Sequence, residues 1–168
     1  MEFDTMNIQF LALKDSDFPE VKRIYDWYIA NSTATFHTEP IAISELKEFI
    51  YVDHSRYKAY LIKLDGQIAG YCYFTYYKKR QAYDRTAEIT LYLDHEQRGK
   101  GIGKTAIGFL ENNARELGLK NLLAIITGDN SASISLFSNA GYTKCADFKN
   151  VGEKFGKVLD VVGYQKEL

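Results

Sequence analysis

The stretch Gln97–Thr105, QRGKGIGKT, decides how this chain is read. Three glycines, Gly99, Gly101 and Gly103, alternate with other residues, and a Lys-Thr pair closes the run. A Walker A loop needs a glycine, four residues, then Gly-Lys-Ser/Thr. Counting back from Gly103 puts Arg98 where the first glycine must stand, and Gly99 is one residue too close. A dinucleotide fingerprint fails as well, because Lys104 occupies its last glycine position. The acidic ribose-binding residue expected about twenty positions on would fall near Lys120, which has the wrong charge.

The physics of the loop survives both exclusions. AEITLYL (Ala87 to Leu93) precedes it and alternates as a strand, with Ile89, Leu91 and Leu93 on one face and Glu88, Thr90 and Tyr92 on the other. A helix starting near Lys104 follows, with Ile107, Leu110, Ala114 and Leu117 at helical spacing and Gly118 as its stop. Glycines allow close backbone approach, and the unpaired amides at a helix start point at an anion.

Working outward, Ile8 to Leu13 reads as a first strand. Ser16 or Asp17 caps a helix with Pro19 in its first turn and Val21, Ile24, Tyr25 and Tyr28 as its apolar stripe. Asn31 to Pro40 is a turn-rich loop, and Ser44 opens a second helix that buries Leu46, Phe49 and Ile50. Asp65-Gly66 between AYLIKL and QIAGYCYFTYY predicts a tight hairpin. Lys78 to Thr86 is a polar loop, Asn121 to Thr127 a buried strand, and Ser131 caps a helix carrying Ala132, Leu136 and Phe137. YTKCADF and VLDVVGYQ read as two closing strands. The pattern is one α/β domain of the α+β kind over residues 1–168, a mixed, mostly antiparallel sheet flanked by helices.

Composition bounds the function. The chain has 168 residues, 46% hydrophobic and 26% charged, with a formal net charge of −1. This is not the basic footprint of a nucleic-acid binder, so any anion must be held by local groups. Cys72 and Cys145 lie far apart without metal-ligand spacing, which predicts neither a metal site nor a disulfide framework but two buried free thiols. MEFDTMNIQF lacks the pattern of a signal peptide, and no apolar run reaches membrane-span length; a cytoplasmic location is expected.

The order Arg98-x-x-Gly101-x-Gly103 after a strand and before an amphipathic helix resembles the pyrophosphate loop of the GNAT acyl-CoA N-acyltransferases. NSASISLFSNAGY (Asn130 to Tyr142) resembles the second signature of that superfamily. STATFHTEP, KKRQAYDRTAE and VGEKFGKVLDVVGYQKEL extend the likeness to the phosphinothricin and methionine sulfoximine N-acetyltransferase subfamily across most of the chain.

The resemblance implies acetyl-CoA as donor and a small amino-acid-like amine as acceptor, with no metal. It places the catalytic base at Glu88. It implies that the backbone of Leu91, Tyr92 and Leu93 pairs with the pantetheine arm, and that Arg98, Gly99, Lys100, Gly101, Ile102, Gly103 and Lys104 surround the pyrophosphate. Asn130 would touch the cofactor arm, although Asn before a helix is also an ordinary cap. Phe36, Thr38, Lys78, Lys79, Arg80, Tyr83, Ile89 and Thr90, with Glu88, would form the acceptor site. In that site Arg80 is the favoured carboxylate anchor because a guanidinium grips a carboxylate through two bonds. A homodimer is implied. Phe137 stands where relatives carry Tyr or His, which leaves Tyr142, water or no acid at all for the departing thiolate. His37 replaces an Arg common in the subfamily. Two other readings stay open: transfer to a polyamine, an aminoglycoside or a protein N-terminus, and a CoA-binding sensor without catalysis.

Overall fold

Asp65 and Gly66 both take positive φ, 50° and 82°, the backbone of the tight two-residue hairpin turn that an Asp-Gly pair favours. The turn fixes the register of β2 (Lys58–Leu64) against β3 (Gln67–Tyr76), with Leu64 opposite Gln67. The computed structural model describes residues 5–168; Met1–Asp4, the start of the N-terminal stretch read above, lie outside the described residues. The other strands are β1 (Ile8–Ala12), β4 (Thr86–Leu93), β5 (Asn121–Thr127), β6 (Thr143–Lys154) and β7 (Lys157–Glu167). They form one sheet in the order β1-β2-β3-β4-β5-β7-β6. Every neighbouring pair is antiparallel except β4 and β5, which are parallel.

Period-two alternation sends the side chains of the central strands β2, β3 and β4 into two separate cores. Leu61, Tyr71 and Tyr73 pack with α1 (Phe18–Asn31) and α2 (Ile43–Leu46) on one face. Ile62, Cys72, Phe74 and Ile89 pack against Ile107 and Leu110 of α3 (Ile102–Glu116) on the other. Phe137 of α4 (Ser131–Asn139) joins this second core. The parallel β4–α3–β5 connection carries the glycine loop at its first corner.

Several local expectations shift. Asn130, not Ser131, caps α4, its side chain accepting the Ser133 amide at 3.2 Å. α2 begins at Ile43 rather than Ser44 and is a single turn, so Phe49 and Ile50 lie beyond it. Cys145 is exposed on β6, and only Cys72 is buried. Burial pushes the Cys72 thiol far up and leaves it inert. The closing strands are longer than read because Phe155 and Gly156 both take positive φ, 54° and 68°, and join β6 to β7 in a tight turn. A bulky aromatic at positive φ is uncommon, so nothing local in the sequence announces that turn.

Gly70 makes the closest backbone approach in the sheet. A Cβ there would lie 2.4 Å from the Tyr92 carbonyl oxygen and 2.9 Å from Leu93 Cα. Gly70→Ala therefore forces β3 away from β4, and urea unfolding is expected to show a loss of about 1–3 kcal/mol.

Candidate active site

β4 and β5 pair only through Thr86–Glu88 against Asn121–Leu123. Beyond Glu88, β4 keeps β3 as its neighbour and β5 keeps β7, but the two no longer touch each other. A cleft of about 420 Å³ opens in this fork. Ile89 to Leu93 form one wall, Ala124, Ile125 and Ile126 the other, and the N-terminal ends of α3 and α4 close one side.

Both helix ends are shaped by the residues that read as motifs. Gly99 and Gly101 take φ of 77° and 78°, which an L side chain rarely adopts. Gly101 caps α3, and the first amide bond of that helix runs from Thr105 to the Gly101 carbonyl at 3.5 Å. The amides of Ile102, Gly103 and Lys104 therefore have no carbonyl one turn back to accept them. Gly103 serves packing: a Cβ there would sit 2.9 Å from Leu136 Cδ2, so its absence lets α3 and α4 converge. Two positive helix ends thus face one cavity, an arrangement suited to phosphate.

Arg98 and Lys104 line the cleft and add charge. The Arg98 guanidinium lies 5.2 Å above the Trp27 ring, and Trp27 stacks on His95 at 4.4 Å. Lys100 turns back instead, donating to Gln97 Oε1 at 2.8 Å, and does not line the cleft. Asn130 caps α4 and lines the cleft as well. Ile89 and Thr90, expected beside the acceptor, also border this cleft.

Glu88 sits at the branch point of the fork and projects to the α1/α2 side, where it lines a second cavity of about 400 Å³. Lys78 and Lys79 line it too, with Tyr73, Thr75, Tyr76, Tyr77 and the segment Glu48, Phe49 and Tyr51 after α2. Burial raises the Glu88 carboxyl from 4.5 to about 7, against a smaller lowering by the Lys78 ammonium. A carboxyl so poised is half ionised near neutrality, as a general base requires. Tyr73 and Tyr92, raised by burial, stay neutral around it.

Arg80, Tyr83, Phe36 and Thr38 line neither cavity. Arg80 stacks on Tyr83 at 5.5 Å, and Phe36 lies over Gly152 of β6. Tyr142 is also off the cleft: its ring meets Phe137 edge-on at 5.0 Å, and its buried hydroxyl lies beside Glu111. Tyr28, Ser32 and Ala34 line the cleft without having been singled out for it. Tyr28 read as a core stripe residue and the others as plain loop; only their position across the fork reveals them. Among the described residues no cluster of three or more metal-ligating side chains occurs, and no helix is long and apolar enough to cross a membrane.

Comparison with known proteins agrees with this geometry. Residues 11–162 match the acetyltransferase (GNAT) domain. The chain belongs to the GNAT acetyltransferase family. It is 32% identical over 152 residues to the phosphinothricin N-acetyltransferase of Streptomyces viridochromogenes, covering 90% of this chain and 83% of that protein. It is 28% identical over 155 residues to the L-methionine sulfoximine/L-methionine sulfone acetyltransferase of Pseudomonas aeruginosa, covering 91% and 90%. Among solved structures, the GNAT phosphinothricin acetyltransferase of Sinorhizobium meliloti in complex with AcCoA superposes with a TM-score of 0.88 at 27% identity, covering 98% of this chain and 89% of that one.

The folded protein keeps a proton on Glu88 up to about pH 7, whereas an unburied carboxyl releases it near 4.5. The native state therefore binds more protons in that window, and stability falls as pH rises through it. Glu88→Gln removes this slope, so the variant is expected to gain about 1–3 kcal/mol over the parent between pH 4.5 and 7.5 in urea titrations.

Proposed function

We propose that this GNAT domain moves an acetyl group from acetyl-CoA to the primary amine of a small amino-acid-like acceptor, with Glu88 as the general base. The observation that carries the reading is the position of Glu88. Its carboxyl stands where the strands divide, bordering the acceptor cavity at the inner end of the cleft, with its pKa raised to about 7.

The cleft suits the donor. Amides at the α3 end with Arg98 and Lys104 match a pyrophosphate, and the free edge of β4 can pair with the pantetheine arm as an added strand would. The thioester then lies toward the branch point. Glu88 takes the proton from the acceptor ammonium, directly or through water; the freed nitrogen forms its bond to the acetyl carbon, the carbon–sulfur bond breaks, and the second proton shed by the new amide nitrogen passes through solvent to the departing thiolate. A thiolate is a good leaving group, so the CoA sulfur departs without an acid. This fits a cleft where Phe137 stands and the Tyr142 hydroxyl is turned away. Cys72 is buried and its thiol raised, which favours direct transfer over a covalent enzyme intermediate.

Lys78 and Lys79 on the acceptor cavity favour an acceptor carrying its own carboxylate. They disfavour a polyamine or aminoglycoside, since like charges repel. The relatives named for phosphinothricin and methionine sulfoximine support the same class. Arg80, Tyr83, Phe36 and Thr38 line neither cavity and would reach an acceptor only by moving. Phe148, Val151, Phe155 and Val158 are each more than half exposed on the β6–β7 hairpin, which suits a homodimer interface.

Glu88→Gln is expected to lower kcat by about 10²–10⁴ with CoA affinity unchanged. The parent should lose kcat/KM for the acceptor as pH falls below about 7, and the variant should lose that limb. Release of CoA thiol from acetyl-CoA with phosphinothricin, methionine sulfoximine, ordinary amino acids and spermidine measures both effects. Activity confined to spermidine would refute the acceptor class.

A further inference from the structure

Lys154 is the last residue of β6 and is only 3% exposed. Lysines are almost never buried this deeply without a charged partner, yet no carboxylate among the described residues pairs with it. Its Nζ donates instead to three carbonyls, those of Ser32 at 2.7 Å, Thr35 at 2.9 Å and Tyr28 at 3.5 Å. These groups belong to the last turn of α1 and the loop that follows it. An ammonium there answers the negative end of the helix, where the Tyr28 carbonyl also accepts the Ser32 amide, together with the loop carbonyls of Ser32 and Thr35.

That loop spans the open side of the fork. Ser32 and Ala34 line the cleft. On the β4 side, the Tyr28 hydroxyl donates to the Leu93 carbonyl at 2.5 Å. On the β5 side, Thr127 Oγ1 donates to the Thr33 carbonyl at 2.7 Å, and Thr33 Oγ1 donates to Asp129 at 2.8 Å. Phe36 lies on Gly152, where a Cβ would come within 2.3 Å of its ring. The segment is thus tied to both arms of the fork and to β6.

We propose that Lys154 is a positioning residue for the donor site: by clamping Ser32 and Thr35 it fixes the strap that sets the width of the cleft between β4 and β5. It touches no reacting atom. The proposal rests on the reading of that cleft as the acetyl-CoA site. Removing the clamp frees the strap, so the donor must order it on binding, and affinity falls while the chemistry at Glu88 is left in place.

The test compares Lys154→Met with the parent by CoA binding in a calorimeter, by kcat at saturating acetyl-CoA, and by amide hydrogen exchange. Expected are an increase of about tenfold in the CoA Kd, kcat within about threefold of the parent, and faster exchange confined to the amides of residues 32–36. Unchanged CoA affinity in a folded Lys154→Met protein would overturn the proposal. So would exchange that quickens throughout β6 and β7, which marks a hairpin-stability role. Should Lys154→Met not fold, Lys154→Arg carries the test, since it keeps the charge and the donors. It should hold the Kd within about threefold, and weaker binding with a fully protected strap would refute the clamp. A parent protein that does not bind CoA overturns the reading of the cleft and this proposal with it. Parent binding unaffected by Lys154→Met overturns the role of Lys154 alone.

Discussion

Two parallel strands that hold together for three residue pairs and then part are the constraint on which this structure turns. A sheet loses backbone hydrogen bonds at such a fork, and buried peptide groups left without partners are costly. The fold limits that loss in a specific way. β4 keeps its full pairing with β3, and β5 keeps its own with β7, so each arm carries only one unpaired edge. The Tyr28 hydroxyl takes one carbonyl of the β4 arm. What is left along the edges is a row of groups available to a ligand, and the two helix ends beside it supply the charge that a ligand of mixed character needs.

On the proposed function the fork also separates the two halves of the chemistry. The cleft proposed for the donor lies between the arms, bordered by α3 and α4, whereas the cavity proposed for the acceptor lies toward α1 and α2. Glu88 is the last residue of β4 before the arms divide, and alternation along the strand aims it at the acceptor side. Its burial follows from that position, and its raised pKa follows from burial. A single geometric fact thus accounts for where this carboxyl stands and for why it titrates near neutral pH.

Much of this was legible in the sequence because local physics controlled it. The Asp65-Gly66 turn, the alternation of Ala87 to Leu93 and the glycines at the start of α3 each depend on neighbours a few residues away. The residues those patterns singled out come together: Arg98, Gly101, Gly103 and Asn130 all line one cleft. The acceptor side was less legible, since its walls come from segments far apart in the chain. Lys78 and Lys79 reach Glu88 there, but Glu48, Phe49 and Tyr51 arrive from beyond α2 and show no pattern of their own. Arg80 looked the better anchor by chemistry, yet it stacks on Tyr83 outside the cavity. The buried Lys154 was invisible for the same reason, because a lysine before Phe-Gly reads as an exposed turn residue until the α1 loop is seen to close over it.

The proposed function requires the free edge of β4 beyond Glu88 to receive the CoA arm, and a crystal structure of the protein soaked or grown with CoA would show it. Expected are pantetheine amides paired with the backbone of β4 between Ile89 and Leu93, the pyrophosphate on the amides that begin α3, and the sulfur at the end of the cleft nearest Glu88. CoA bound at any other place, with the fork left empty, would contradict it.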